Sequence, residues 1–270
     1  MSAEILTISS LYRYPIKSTA YQAVGEAWVD EEGLEGDRRY MLAKPDGTFL
    51  TARTHPWLQR ITAVPFPGGL RVSHPDLGDM VAREAAFEAE PFVTHVWDDS
   101  FAGLTTTRVL DEWVSQAVRE PARLLWLGAR SPRYRPGIER RVSFADGYPL
   151  MLISQASLDD LNRRMAVPQR MIQFRPNLVV EGTMPCAEDA WRRIRVGEVE
   201  FLVDSPCSRC AMITVDPVSK TFQPRGEPLR TLAGYRRGSG GKVYFGQNLI
   251  AMNAGRLAVG SRVEVLEASS

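Results

Sequence analysis

The sequence predicts a mainly β protein, with a β-barrel domain that carries a few packing helices and a β-rich domain before it. Short apolar segments alternate with turn residues at intervals of about 8–12 residues, which is typical of barrels and sandwiches. Two further segments have helical periodicity. The 270 residues, 44% hydrophobic and 24% charged, suffice for two ordinary domains with buried cores. We expect these domains to be residues 1–122 and residues 123–270.

The N-terminal domain is predicted to consist of short strands joined by tight turns. The predicted strands are residues 5–12, 40–43, 48–53 and 70–72, with turns at 44–47 and 67–69. Lys17 and Ser18 follow the first strand, where an ammonium and a hydroxyl could bind a phosphate. Exposure to solvent is the commoner fate of such a pair, so both interpretations stay open.

Two helices are predicted from periodicity and capping. The first runs from Thr107, a plausible N-cap, to Val118, with five apolar residues on one face. The second spans residues 154–162, where Ser154 or Ser157 can cap the helix. Its unpaired N–H groups also favour an anion at that end, although capping alone explains both serines.

The C-terminal half is predicted to be strand-rich again. Strands are expected at residues 124–127, 150–153, 172–180, 243–248 and 262–266. The third of these is interrupted by Arg175-Pro176-Asn177, and a proline inside a strand marks an edge or a bulge, features that are common beside active sites. Residues 130–136 are rich in proline and arginine, which predicts a surface loop or a domain border.

Charge and composition narrow the function classes. A formal net charge of +1, from 33 basic and 32 acidic residues, is no footprint for nucleic acid or an anionic membrane. No signal peptide and no run of about 20 apolar residues is visible. The odd count of three cysteines fits a reduced, cytoplasmic protein. We therefore expect neither nucleic acid nor a membrane as a partner.

The segment Cys207-Ser208-Arg209-Cys210 is the strongest chemical signal. Apolar segments flank it, which predicts that both cysteines lie on a loop between two strands. Cys186 and three histidines supply no second pair for a structural zinc site, and a thioredoxin-like pair would open a helix. Two interpretations remain open: one soft thiolate that binds a redox cofactor, with Arg209 favouring its ionised form, or two inert buried thiols.

Seven short stretches together resemble a known family. They are residues 14–18 (Tyr-Pro-Ile-Lys-Ser), 36–38 (Gly-Asp-Arg), 51–53 (Thr-Ala-Arg), 154–162, 174–177 (Phe-Arg-Pro-Asn), 207–210 with 214–217, and 245–247 (Phe-Gly-Gln). In this order the sequence is similar to the MOSC proteins, and specifically to the branch with an N-terminal β-barrel domain that includes the mitochondrial amidoxime reducing component. The resemblance covers nearly the whole chain.

The resemblance implies a molybdenum cofactor of the molybdopterin type, with Cys210 as the metal ligand and catalytic residue. The cofactor-binding residues that it implies are Lys17, Ser18, Arg38, Arg53, Ser154, Ser157, Arg175, Asn177, Ser208 and Arg209. Cys207 would be a neighbour and not a ligand. The implied reaction is the reduction, and so detoxification, of N-hydroxylated small molecules: hydroxylamines, amidoximes and N-hydroxylated bases.

The resemblance also bears on the electron source. Some bacterial relatives carry a C-terminal ferredoxin domain, whereas this sequence has no four-cysteine set for an iron–sulfur cluster. We expect a separate donor: a ferredoxin, a cytochrome b5-like protein or a flavoprotein reductase. The alternative function is that of a binding protein that carries the molybdenum cofactor, or sulfur, without reducing a substrate.

Overall fold

The computed structural model describes residues 5–269, except for the side chain of Ser239. The described chain is mainly β, as predicted. Its strands are β1 (Thr7–Arg13), β2 (Gln22–Val24), β3 (Glu26–Asp30), β4 (Gly33–Leu34), β5 (Tyr40–Ala43), β6 (Thr62–Phe66), β7 (Gly69–His74), β8 (Gly78–Arg83), β9 (Pro91–Val96), β10 (Asp99–Thr105), β11 (Arg123–Trp126), β12 (Tyr134–Arg135), β13 (Arg140–Arg141), β14 (Leu150–Ser154), β15 (Leu178–Glu181), β16 (Trp191–Val196), β17 (Val199–Arg209), β18 (Val243–Ala251), β19 (Gly255–Ala258) and β20 (Val263–Ala268). The α-helices are α1 (Arg108–Val118), α2 (Gln155–Arg163) and α3 (Leu229–Ala233).

The chain forms two compact units, each built from separate segments. The first unit comprises the described parts of Met1–Tyr12, Ala23–Glu35 and Tyr148–Ser270, and the second comprises Arg13–Gln22 and Gly36–Gly147. The predicted domains are continuous in sequence, and the border that we placed between residues 122 and 123 stays a prediction.

The main sheet of the first unit closes on itself. Its strand order is β2-β1-β15-β14-β18-β17-β16-β20. Backbone hydrogen bonds then join the chain around the start of β20 to the first strand, from Ile8 N to Ser261 O (2.9 Å) and from Val263 N to Leu6 O (2.8 Å). The interior is filled by apolar side chains such as Phe201, which are fully buried. These hydrogen bonds connect the last strand of the sheet to the first, as closure into a barrel requires.

The second unit contains smaller antiparallel sheets. One has the strand order β5-β11-β10-β9, another the order β6-β7-β8, and β12 pairs with β13. Helix α1 begins after Thr107, whose side chain accepts a hydrogen bond from Leu110 N at 3.3 Å, as the capping pattern predicted. The apolar face of α1 is buried, and the helix packs against β11 of the same unit.

The predicted strand at residues 48–53 is wrong. Only one bridge, between Phe49 and Ala43, continues from the preceding strand. The chain then turns at Thr51, whose hydroxyl accepts hydrogen bonds from the backbone N and the Nη1 of Arg53. Local hydrogen bonds from a threonine compete with a strand ladder, and here they stop the strand.

The predicted strand at residues 172–180 begins with a 3-10 helix instead, and the apolar segment after Cys210, which was predicted to be a strand, is itself a 3-10 helix. Met171–Phe174 and Ala211–Thr214 are both 3-10 helices, and β15 starts only at Leu178. Phe174 and Ile213 are buried in the same apolar cluster, and Gln173 Nε2 donates to Ile213 O at 2.5 Å. A short buried apolar run does not by its pattern distinguish a strand from a helix.

Candidate functional site

The cysteine motif lies at the end of the long strand β17. Ser208 pairs with Tyr244 and Arg209 with Val243 of β18, after a register shift between Pro206 and Ser208. The predicted loop position is therefore wrong for Cys207, which lies within the strand; Cys210 is the first residue after it. The bulge lets pairing resume beyond the proline, which is why the strand continues through the motif.

The two thiols have different exposures. Cys207 is half-buried and packs against an apolar cluster, whereas Cys210 is exposed at the start of the Ala211–Thr214 helix. Neither forms a disulfide. The interpretation of two inert buried thiols is therefore wrong for Cys210, which is accessible to a ligand.

Arg209 connects the motif to two other elements of the first unit. Its Nη1 lies 3.0 Å from the Cys207 sulfur and 2.8 Å from the Met151 sulfur on β14. Its Nη2 donates to Phe174 O at 2.5 Å. The guanidinium thus joins the end of β17 to the turn that precedes Arg175, and it holds Cys207 directly.

Arg175 and Asn177 lie at the turn between the 3-10 helix and β15. Arg175 has φ 58° and ψ 44°, a left-handed conformation that costs free energy in a non-glycine residue and persists only when the surroundings enforce it. The Asn177 side chain is buried; it accepts from Met151 N and donates to Tyr12 O, both at 3.2 Å. Asn177 therefore connects β14 and β1 by its side chain, directly after Pro176, which has no N–H to donate.

The start of α2 holds an anion from the chain itself. The buried Glu188 carboxylate accepts hydrogen bonds from the hydroxyls of Ser154 (2.9 Å) and Ser157 (2.7 Å) and from Ser154 N (3.1 Å). Ser154 also accepts from Ser157 N at 3.1 Å, as an N-cap does. Sequence analysis predicted an anion here but missed Glu188, because nothing local connects it to serines more than 30 residues earlier.

The second unit contains a cluster of charged residues around Asp146. Lys17 is buried, and its Nζ donates to Phe144 O at 2.7 Å and to the Asp146 carboxylate. Arg53 Nη2 donates to the other oxygen of Asp146 at 2.6 Å, and its guanidinium lies 4.5 Å from the centre of the Trp97 ring. Two cations therefore share one carboxylate.

Burial and ion pairing shift the pKa values of Lys17 and Asp146 in opposite directions. Burial lowers the pKa of Lys17 from 10.5 to about 8, although Asp146 favours its charged form. Burial also favours the protonated form of Asp146, but Lys17 and Arg53 outweigh it and hold the pKa of Asp146 below its ordinary value. The cluster therefore contains an ionised carboxylate and a lysine that would gain from a further anion.

Arg38 and Ser18 complete this group of residues. Arg38 pairs with the buried Asp37 and lies 4.7 Å from the centre of the Tyr14 ring. Burial disfavours its charge, but Asp37, Tyr14 and Asp146 together outweigh burial and raise the pKa of Arg38. Ser18 has φ 68°, and its hydroxyl makes no hydrogen bond with a described residue. Strained non-glycine residues are concentrated at functional sites.

Arg133 is a residue that sequence analysis misjudged. Its Nη1 donates to Ser143 O (2.5 Å) and Ala145 O (2.7 Å), and its Nη2 donates to Asp99 at 2.8 Å. Its side chain is 1% exposed, so the predicted surface loop is wrong at this position. Arg133 fixes the backbone just before Asp146. A buried arginine needs a partner, which here is Asp99, but the sequence carries no signal that Arg133 is buried.

Among residues 5–269, no three His, Cys, Asp or Glu side chains lie close enough together to hold a metal ion. An exposed cysteine such as Cys210 can supply one soft thiolate ligand to a metal.

Comparison with known proteins identifies the family. The model of the MOSC domain matches residues 139–264, and the model of the MOSC N-terminal beta barrel domain matches residues 5–121. The chain is 30% identical over 283 residues to mitochondrial amidoxime-reducing component 1 of Mus musculus, an alignment that covers 97% of this chain and 83% of that protein. The chain belongs to the MOSC family.

Two other relatives of this MOSC protein carry different names. Mitochondrial amidoxime reducing component 2 of Homo sapiens is 30% identical over 246 residues, covering 86% of this chain and 73% of that protein. Molybdenum cofactor sulfurase of Solanum lycopersicum is 31% identical over 265 residues, covering 88% of this chain but only 32% of that protein. Family membership alone therefore does not assign an activity to this chain.

The candidate residues of this MOSC protein divide between the two units. The first unit contains Ser154, Ser157, Arg175, Asn177, Ser208, Arg209 and Cys210, and the second contains Lys17, Ser18, Arg38 and Arg53. Within the first, Arg209 contacts the turn before Arg175, and Ser208 is exposed on β17. Within the second, Lys17 and Arg53 meet at Asp146. No helix within residues 5–269 has the length and apolar character to cross a membrane.

Proposed function

We propose that this chain is an oxidoreductase that binds a molybdenum cofactor through Cys210 and reduces N-hydroxylated compounds. The observation that carries the proposal is the exposed Cys210 thiol at the end of a strand that is paired up to Arg209. A rigid strand end fixes the sulfur, and exposure leaves it open to a metal. The names of the amidoxime-reducing relatives support the substrate class.

The donor chemistry of the chain fits such a cofactor. Cys210 would supply the protein thiolate, and a thiolate is a ligand for soft, redox-active metals. The cofactor, when bound, supplies oxygen-atom transfer and two-electron chemistry. The task of the protein is to hold it, to orient it and to leave one face accessible.

Cationic groups would bind the phosphate of the cofactor. Lys17 and Arg53 share one carboxylate, and a phosphate would bind the same two cations. The Ser18 hydroxyl would donate a further hydrogen bond, and Arg38 would add a second arginine. These roles follow the resemblance, and the meeting of Lys17 and Arg53 at Asp146 supports them.

The remaining candidates receive more structural roles in this proposal. Arg175 would donate to the pterin from its enforced left-handed turn, while Asn177 holds that turn in the sheet. Arg209 would steady the end of β17, and Ser208 would border the cofactor. Ser154 and Ser157 bind Glu188, so a phosphate there would first have to displace that carboxylate.

The reaction consumes electrons that these 270 residues do not generate. Reduction of a hydroxylamine takes up two electrons and two protons, breaks the N–O bond and releases the amine and water. Three cysteines are one fewer than the four that an iron–sulfur cluster commonly takes. We propose a separate donor protein of the ferredoxin, cytochrome b5-like or flavoprotein class, and a cytoplasmic location.

The alternative is a carrier of the molybdenum cofactor or of sulfur. It is favoured by the similarity to molybdenum cofactor sulfurase and by an exposed thiol that could equally bear a persulfide. A carrier would bind the same cofactor through the same residues but would not turn over an N-hydroxylated substrate.

The test is to express the chain in a host that makes the cofactor and to compare wild type with Cys210→Ser. We expect close to one molybdenum per chain, and reduction of benzamidoxime with a dithionite-reduced viologen dye as electron source. Cys210→Ser should lose this activity, because an alkoxide is a poor electronic substitute for a thiolate. The matched variant Cys207→Ser should retain most of it.

Each other outcome has a clear meaning. Molybdenum without turnover of any N-hydroxylated compound would favour the carrier. Equal loss of activity in Cys207→Ser and Cys210→Ser would indicate a redox-active pair. Stoichiometric zinc without molybdenum would overturn the proposal.

A further inference from the structure

The first unit carries a second feature, an arginine patch beside α3. The patch is defined by Arg225, Arg230 and Arg237, which line an open cavity of about 580 Å³ together with Leu229, Ala233 and Val243. Among the described residues, no acidic side chain lines it. The three arginines are exposed.

The positive charge of this patch is not neutralised locally. Residues 224–244 contain five basic side chains and one acidic one, Glu227, in a chain whose formal net charge is only +1. The Glu227 carboxylate accepts from the backbone N (3.1 Å) and hydroxyl (2.7 Å) of Thr231. Arg225 and Arg230 form no ion pair with a described residue. Uncompensated charge on a nearly neutral protein creates a directed field.

The remaining arginine of residues 224–244, Arg236, differs from the patch arginines because it has an acidic partner. Arg236 binds Asp189 through both terminal nitrogens, at 2.6 and 2.9 Å. Burial disfavours its charge, but Asp189, with Cys186 and Glu188, outweighs burial and raises the pKa of Arg236. Arg236 is thus a structural ion pair, whereas the patch arginines are available to a partner.

The patch adjoins the strand pair that carries the cysteine motif. Val243 lines the cavity, and its register partner on β17 is Arg209, the residue before Cys210. Leu232 of α3 packs in the same apolar cluster as Val243 and Ile213, and Ile213 belongs to the helix that follows Cys210. The charged surface is therefore attached to the same packed elements as the thiol.

We propose that the arginine patch is the docking surface for the electron donor, and that this donor is a small redox protein with an acidic surface. This rests on the proposed function, which requires a separate donor. Arginine binds carboxylates in a bidentate manner, and an open cavity with a few apolar side chains suits a protein surface. Complementary charge accelerates encounter and fixes orientation. Each turnover needs two electrons, so two one-electron donor molecules would dock in succession.

The experiment measures two electron routes in the cofactor-loaded protein. The first uses the reduced viologen dye, which needs no docking. The second uses an acidic [2Fe–2S] ferredoxin or an acidic soluble cytochrome b5, each with its NAD(P)H reductase. The variant is Arg225→Gln/Arg230→Gln, and the matched control is Arg71→Gln/Arg108→Gln, which removes two exposed arginines outside the patch. Thermal unfolding of all forms checks that they are folded.

We expect the patch variant to keep the dye-driven rate and to lose about tenfold in kcat/KM for the protein donor at low ionic strength. The kcat/KM of the patch variant for the protein donor should also depend less steeply on salt concentration than that of wild type. The control should match wild type on both routes.

Failure of this proposal differs from failure of the proposed function. No dye-driven reduction in wild type would overturn the function itself. Dye-driven activity with no activity from either acidic donor, or with equal protein-donor kinetics in the patch and control variants, would overturn the docking surface alone. Saturable binding of inorganic phosphate that the patch variant abolishes, with protein-donor kinetics unchanged, would make the patch a small-anion site instead.

Discussion

Arg53 Nη2 lies 2.6 Å from the Asp146 carboxylate, whose other oxygen accepts from the buried Lys17. The two cations come from segments that are far apart in sequence, and Asp146 pairs with both of them. The side chain of Asp146 is 48% exposed, whereas that of Lys17 is 5% exposed. This carboxylate therefore compensates a buried charge from a position that an external anion could also reach.

Asp146→Asn should destabilise the protein, because Lys17 loses its charge partner. We expect about 1–3 kcal/mol in the free energy of unfolding, measured by urea denaturation in a buffer free of phosphate. Added phosphate should recover part of the loss, since an anion that binds the folded state stabilises it. Asp76→Asn removes an exposed ion pair with Arg60 and should change nothing measurable. Equal, phosphate-independent losses in both variants would contradict this account.

Lys17 should make stability depend on pH on the alkaline side. Its pKa is about 8 in the folded chain and 10.5 in the unfolded chain, so the unfolded chain binds more protons between these values. The penalty for burying the charge is present below pH 8 and is relieved as the pH rises to about 10.5. The contribution is at most about 3 kcal/mol.

The measurement for Lys17 is the difference in unfolding free energy between wild type and Lys17→Met from pH 7 to pH 10.5. The advantage of Lys17→Met over wild type should be largest at pH 7 and shrink as the pH rises. Lys242→Met, at an exposed lysine, serves as the control. A difference that is constant over this range would show that Lys17 is not the group responsible.

Glu188→Ala should be strongly destabilising. The substitution removes an acceptor from the hydroxyls of Ser154 and Ser157 and from Ser154 N. Buried donors left without a partner cost free energy, and bonds to a charged group are stronger than neutral ones. We expect about 2–4 kcal/mol by urea denaturation, against little change for Glu267→Ala at an exposed position. An unaffected Glu188→Ala would argue that the serines bind another anion.

Arg209→Lys should loosen the cysteine motif although it keeps the positive charge. A lysine has no planar fork, so it cannot hold the sulfur atoms of Cys207 and Met151 and the carbonyl of Phe174 together. We expect a loss of about 2 kcal/mol in unfolding free energy and faster alkylation of Cys207 by iodoacetamide, located by mass spectrometry. Arg108→Lys, on an exposed face of α1, should leave both unchanged.

Sequence patterns correctly predicted those elements that are determined by residues close to one another in the chain. The cap at Thr107, the helix after Ser154 and the mainly β character follow from hydroxyl caps, periodicity and turn residues within a few positions of one another. The family resemblance likewise required only the seven short stretches and their order along the chain. The family is confirmed.

The tertiary structure decided which distant residues meet. Lys17 and Asp146 are 129 positions apart, and Ser154 and Glu188 are 34 positions apart. Only the fold shows that Arg133 is buried and that Cys207 lies in a strand while Cys210 is exposed. The physical reason is that a buried charge or hydroxyl requires a partner without specifying its position in the chain. The hydrophobic periodicity of a segment predicts which of its faces is buried, whereas only the tertiary packing determines which residues that face contacts.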